Sequence, residues 1–277
     1  MPYYPSPQSL LADARLRLDG LPASRGVLVV EGPDDQRLFS PRVLSSPQIV
    51  VSGGRGLLLG AYREASSKDL ANIVFITDCD YEVARGSLRP GPSLIVTKNV
   101  DAESDLLELG LFDRLGIELV PRALSSDATA REVGAALRQR SVAFAEVLSQ
   151  VRRVALEHGV KLDVDDIKYR RARVAGTRDV NGENLVKKLG QGLSHCGLTP
   201  GQFLGEVQSM PKSYMFCNGH DLINALQFVL REDFGVSAER VELARLLRIA
   251  ASEVFLSWTV VRRLIRWQVA SGRAVLR

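Results

Sequence analysis

Val27-Leu-Val-Val-Glu-Gly-Pro-Asp-Asp35 and Ile76-Thr-Asp-Cys-Asp80 follow one plan: a short apolar run that ends in carboxylates. Val27 to Val30 reads as a buried strand, with Glu31 at its carboxyl end and Gly32 making the turn. Asn72 to Thr77 reads as a second such strand, followed directly by Asp78 and Asp80. In open parallel sheets, ligands bind in the crevice beyond the strand carboxyl ends. Carboxylates gathered there repel one another unless a cation neutralises them, and hard oxygen ligands of this kind suit Mg²⁺ or Mn²⁺.

Outward from these two stretches, the first half of the chain alternates between helix and strand. The pattern predicts a leading helix over about Pro7 to Asp19, a strand at Gly26 to Val30 and a short helix around Asp34 to Phe39. A strand at Gln48 to Ser52 comes next, and the turn Gly53-Gly-Arg-Gly56 leads into a helix reaching about Ser66. After the strand at Asn72 to Thr77 come another at Ser93 to Thr97 and a helix from about Ala102. Such a rhythm predicts an α/β fold with a parallel sheet flanked by helices. Past Pro121 the strand signals fade. Helical spacing governs Ala130 to Glu157, Asp179 to Gly190, Asp221 to Arg231 and most of Ser237 to Arg277. The expected organisation is a catalytic α/β domain over about residues 1 to 123, then a mainly helical C-terminal domain over about 124 to 277.

Composition narrows the classes. The hydrophobic fraction of 45% and charged fraction of 25% are those of an ordinary soluble globular protein. A net charge of +4 with a pI near 9.1 permits a polyanionic partner without requiring one. The three isolated cysteines make neither a CxxC pair nor a disulfide framework, which suits a reducing cytoplasm. Three scattered histidines argue against a zinc site. The start, Met1-Pro-Tyr-Tyr-Pro-Ser-Pro, has no signal-peptide character, and no run approaches the ~18 apolar residues of a membrane helix. A cytoplasmic protein with no membrane partner is the expectation.

Metal-dependent phosphoryl transfer needs carboxylates that converge from different chain segments on rigid strand ends. Taken singly, Glu31 reads as a helix cap and Asp78 and Asp80 as turn residues. Taken together on one sheet edge, they read as a metal site.

Glu31-Gly32 at one strand end and Asp78-Cys79-Asp80 at another resemble the signature of the Toprim domain, the catalytic module of topoisomerases, bacterial primases and OLD-type nucleases. The resemblance implies that Glu31 is a general acid/base or metal ligand and that Asp78 and Asp80 coordinate Mg²⁺. Glu31-Gly-Pro-Asp-Asp35 is similar to the Glu-Gly-x-x-Asp of OLD-like members. Asp101-Ala-Glu-Ser-Asp-Leu-Leu107 resembles their acidic Glu-Asn-Tyr-Leu-like element, which makes Glu103 a further metal ligand, although Ser104-Asp105 departs from it. Asn218-Gly-His-Asp-Leu222 resembles the signature of the DUF4435 family, a Toprim domain with a helical C-terminal region. Members resemble effectors of bacterial anti-phage systems such as PARIS, in which a Toprim nuclease works with an AAA- or ABC-type ATPase. This chain has no Gly-x-x-x-x-Gly-Lys-Ser/Thr loop, so the resemblance implies a separate ATPase polypeptide.

Further residues are candidates by position. Lys98, just past its strand, is a candidate to stabilise charge on a pentavalent phosphate, although an ordinary solvated lysine is the simpler reading. Arg55 in its glycine-rich turn is a candidate phosphate contact. Lys168-Tyr-Arg-Arg-Ala-Arg173 mixes cations with an aromatic, which nominates Lys168, Arg170 and Arg171 for nucleic-acid binding. His220-Asp221 reads either as an acid/base pair or, more simply, as Asp221 capping a helix with His220 packed or hydrogen-bonded in support. The Trp258, Leu264 and Ile265 face exceeds what one small core would be expected to bury and suggests a homodimer.

The expected activity is a Mg²⁺-dependent endonuclease acting on RNA such as tRNA, or on DNA. The alternative is a non-catalytic metal- or nucleotide-sensing regulatory subunit that keeps the Toprim shape. A topoisomerase would need a tyrosine-bearing gate domain, and a primase commonly carries a zinc module; the chain is too short for the first and lacks the cysteines for the second.

Overall fold

The computed structural model describes residues 4–45, 48–67, 70–81, 88–120, 130–160, 183 and 197–277. Four strands form one wholly parallel sheet: β1 (Val27–Val30), β2 (Ile49–Val51), β3 (Ile73–Thr77) and β4 (Leu94–Val96), in the order β2-β1-β3-β4. In register, Val29 lies between Val50 and Phe75, and Thr77 lies beside Val96. Every strand residue is buried, because helices cover both faces and the strands carry apolar side chains to each.

One face belongs to α1 (Pro7–Asp19) and α3 (Arg55–Ser67). Val27, Val29, Val50, Phe75 and Leu94 pack there against Leu10, Leu11, Leu58 and Ala61. Ser6 caps α1 through a reciprocal pair of hydrogen bonds with Ser9, which fixes where the helix begins. α2 (Pro33–Phe39) follows β1 after the single turn at Glu31-Gly32 and packs beside β2.

The C-terminal segment covers β3 and β4 as well, and here the structure departs from the expected domains. The chain divides into one compact unit of Met1–Asp105 with Ala251–Arg277 and a second of Leu106–Ala250. The last 27 residues therefore belong with the sheet, not with a helical domain running to the terminus. An amphipathic pattern announces that a helix needs a partner but does not say which one. The helix Thr259–Ser271 lays Val261 and Leu264 inward, and Trp258 stacks on Phe39 with centroids 5.7 Å apart. Gly26 is what lets Trp267 approach, since a Cβ there would lie 2.7 Å from the indole ring. Beyond the helix, Gly26 N–H donates to Ala274 O (3.1 Å), Leu44 N–H to Val275 O (2.9 Å) and Arg277 N–H to Arg42 O (2.9 Å). Trp258 and Leu264, expected on a dimer face, are thus covered by the chain's own sheet.

The second unit is helical. α4 (Ala102–Leu106) crosses into it and is followed, after a kink at Gly110 (φ +100°), by α5 (Phe112–Leu119) and the 28-residue α6 (Ala130–Glu157). α6 packs on α5 and on the helix Gly219–Phe234, with Phe144 edge-on to Phe228 at 5.2 Å. The expected helix Asp179 to Gly190 lies outside the described residues, apart from residue 183. No helix among the described residues is long and apolar enough to cross a membrane.

Asp105 fastens the C-terminal return to the sheet. Its buried carboxylate accepts from Trp258 Nε1 (2.8 Å), Asn99 N (2.7 Å) and Lys98 N (3.0 Å). Trp258→Phe keeps most of the packing but removes one donor from a buried acceptor. It is expected to cost about 1–3 kcal/mol of unfolding free energy, measured by urea titration; an unchanged midpoint would show that the bond contributes nothing.

Candidate active site

β1 and β3 are central neighbours whose onward connections leave in opposite directions, β1 towards β2 and β3 towards β4. That divergence opens a crevice at their carboxyl ends, the position where open α/β sheets bind ligands. Glu31 leaves β1 and Asp78 leaves β3 into it. Glu31 Oε1 accepts a hydrogen bond from Asp78 N (2.9 Å) and a short one from Thr77 Oγ1. No described residue hydrogen-bonds Glu31 Oε2. Asp78 Oδ1 accepts from Ala102 N (3.2 Å), so the start of α4 is tied to the same point.

Two more carboxylates sit on the first turns of helices. Asp35 follows Glu31 by one helical turn, and its Oδ2 accepts from Gly32 N (2.9 Å). Asp101 caps α4, with Oδ1 accepting from Ser104 N (2.9 Å) and Asp101 N donating to Ser104 Oγ (3.1 Å). Glu103, on the same turn, is half-buried.

The electrostatics record the crowding. Asp78 is held well above the usual carboxylate range, first by burial and then by Asp101, Asp35, Glu31 and Glu103. Asp35 is pushed up to about 6, again mainly by burial, with Glu31, Asp34 and Asp101 adding to it against the stabilising Gly32 N–H. Arg55 supplies a countercharge at the rim. Its Nη1 lies 2.6 Å from Asp78 O and 2.7 Å from Asp80 Oδ2. Asp80 adopts a left-handed backbone (φ +45°), a conformation that Asp tolerates better than most residues, and its N–H donates to Val100 O at 2.7 Å.

The structure therefore brings Glu31 and Glu103 beside Asp78 and adds Asp35 and Asp101, while Asp80 stands at the rim, half-exposed and paired with Arg55. Both additions had a signal. Asp35 closes the Glu31-Gly-Pro-Asp-Asp35 motif, and Asp101 stands three residues before Ser104, the spacing of a helix cap. Arg55 joins the site through Asp80 and the Asp78 carbonyl. Lys98 is exposed just beyond β4. Lys168, Arg170 and Arg171 lie outside the described residues. Among the described residues no three of His, Cys, Asp or Glu converge into a ready-made metal cage.

His220 and Asp221 belong to the second unit, and their expected arrangement is corrected there. Asn218, not Asp221, caps the helix Gly219–Phe234, accepting from His220 N at 2.9 Å. Asp221 lies inside the first turn, buried, and forms a two-pronged pair with Arg152 of α6, with both contacts at 3.0 Å. His220 is exposed rather than packed. Asp221 thus joins two helices, its carboxylate met by a guanidinium on α6.

A carboxyl whose folded pKa is raised holds its proton in the folded chain after the unfolded chain has released it. Stability therefore falls as pH climbs from the ordinary 3.8 through about 6 for Asp35. Asp35→Asn keeps an acceptor for Gly32 N–H and removes the charge. In EDTA the variant should be more stable than wild type by on the order of 2 kcal/mol at about pH 7.5, and the two should converge below about pH 4. A difference independent of pH in urea titrations would contradict this electrostatic account. No family model matches the chain, and no curated protein matches it either, so a functional reading rests on the chemistry of this site.

Proposed function

We propose that the chain is a divalent-metal-dependent nuclease of the Toprim type, hydrolysing phosphodiesters of RNA, such as tRNA, or of DNA. The observation that carries the reading is the Glu31–Asp78 hydrogen bond across two central strand ends, inside a cluster of carboxylates that raises the proton affinity of Asp78. A purely structural fold gains nothing from such repulsion.

The residues fit Mg²⁺ or Mn²⁺ by donor type, since all are hard oxygens. A complete protein cage is not required of them, because Mg²⁺ commonly takes one or two carboxylates and leaves its other positions to water and substrate phosphate. Glu31 and Asp78 would hold the ion, with Asp80 and Glu103 flanking it. A bound ion supplies the positive charge that polarises a phosphodiester and lowers the pKa of an attacking water.

The chain's own groups divide the remaining work. Asp78 N–H and Thr77 Oγ1 fix one Glu31 oxygen, which leaves Oε2 to accept the proton of the attacking water. Arg55 holds Asp80 in place and limits the repulsion at the rim. Lys98 extends from the end of β4 toward solvent, where a substrate phosphate would enter. Asp35 and Asp101 tune the site through charge and cap the two helices that frame it. The setting proposed, a bacterial anti-phage effector controlled by a separate ATPase, is supported by the resemblance of Asn218-Gly-His-Asp-Leu222 and the lack of a phosphate-binding loop.

The test is cleavage of mixed cellular RNA and plasmid DNA with Mg²⁺ or Mn²⁺. Glu31→Gln keeps the size and one acceptor but cannot take the proton. It should lower the rate by about a hundredfold or more. Full activity in Glu31→Gln would sink the assignment, and cleavage by neither protein, with or without an ATPase partner, would favour a regulatory subunit.

A further inference from the structure

A second concave feature lies at the opposite end of the sheet from the carboxylates. It is a cavity of about 690 Å³. Its walls are α3, the turn Leu70-Ala71 entering β3, the loop 90–93 entering β4, and the helix Thr259–Ser271. It therefore sits at the amino ends of β3 and β4, beside the edge strand. The five residues of β3 separate it from Asp78 by roughly 16 Å of extended chain. No step at the acidic crevice uses it.

The lining is mostly apolar, and among the described residues its charged groups are Arg263 and Arg266, with no Asp or Glu. Arg263 Nη1 donates to Val96 O at 3.3 Å, a neutral acceptor that leaves its charge uncancelled. Arg266 forms no hydrogen bond or ion pair with any described residue. Two aromatic side chains complete the wall, Tyr62, half-buried, and Trp267, 6% exposed.

From this combination we propose that the cavity binds a free nucleoside phosphate, with the phosphate on Arg263 and Arg266 and the base against Tyr62 and Trp267. The guanidinium fork matches phosphate oxygens, and guanidinium and aromatic faces both stack on planar bases. The volume falls within the ~300–1,000 Å³ of small-ligand sites, far more than an inorganic anion fills. Because the cavity is remote from Glu31 and Asp78, the ligand is an effector rather than a substrate. The proposal stands independently of the nuclease reading.

The test is calorimetric titration of the full chain with AMP, GMP, ATP and orthophosphate, in EDTA so that no metal bridges ligand to the carboxylates. Saturable binding of a mononucleotide is expected, weakened about tenfold or more in Arg266→Ala. Ala270→Trp, which adds bulk to the lining without changing charge, should also weaken it, and orthophosphate alone should bind more weakly than the nucleotides. No saturable binding at millimolar nucleotide would overturn the proposal, as would binding undiminished in both variants. Tight binding of an oligonucleotide that mononucleotides fail to displace would also overturn it, by making the cavity part of a polynucleotide track.

Discussion

The repulsion among carboxylates at two neighbouring strand ends is the constraint around which the first unit is organised. Asp78 is buried beside Glu31, Asp35, Asp101 and Glu103, and each raises the cost of its charge. The surrounding structure answers with fixed donors. Asp78 N–H holds Glu31, Gly32 N–H holds Asp35, Ala102 N–H holds Asp78, and Arg55 holds Asp80. These donors come from β3, α2, α4 and α3, so satisfying the acids also fixes how the elements end. The residual destabilisation is of the kind a divalent cation relieves.

A second set of polar contacts makes that edge rigid. Asp105 sits two residues beyond Glu103 and ties the loop after β4 to Trp258. The C-terminal strap then runs along the sheet and is laced to Gly26 and Arg42 at its far end. A site that must hold carboxylates within a narrow geometry benefits from elements locked in this way. The same strap contributes Arg263, Arg266 and Trp267 to the cavity at the other end. One helix thereby backs the acidic edge and lines the effector cavity, which would let a ligand in the cavity influence the edge.

Much of this was legible in the sequence because local signals and global fold agree. Val27–Val30 and Ile73–Thr77 are short, apolar and bounded by turn residues, and they became the two central strands. Pro7–Asp19 and Ala130–Glu157 carry helical spacing, and the observed helices match, with Ser6 capping the first and the second ending at Glu157. The juxtaposition of Glu31 with Asp78 followed from placing both at strand carboxyl ends. What the sequence hid depends on tertiary partners. The return of Ala251–Arg277 to the sheet is not encoded in its amphipathic pattern, which fits any apolar surface. Asp221 reads as a cap beside His220, yet Arg152, far off in sequence, claims it. Asp105 looks like a departure from an acidic motif and proves to be a structural anchor. Arg55 reads as a phosphate contact because its acidic neighbour is 25 residues away.

The central claim is that the Glu31–Asp78 edge is built to hold a divalent cation. Its most direct test is Mn²⁺ binding followed by electron paramagnetic resonance, comparing wild type, Glu31→Gln and Asp78→Asn at neutral pH. The account predicts saturable Mn²⁺ binding by wild type, displaced by Mg²⁺ and strongly weakened in both variants. Binding that is absent from wild type, or equal in all three proteins, would contradict it.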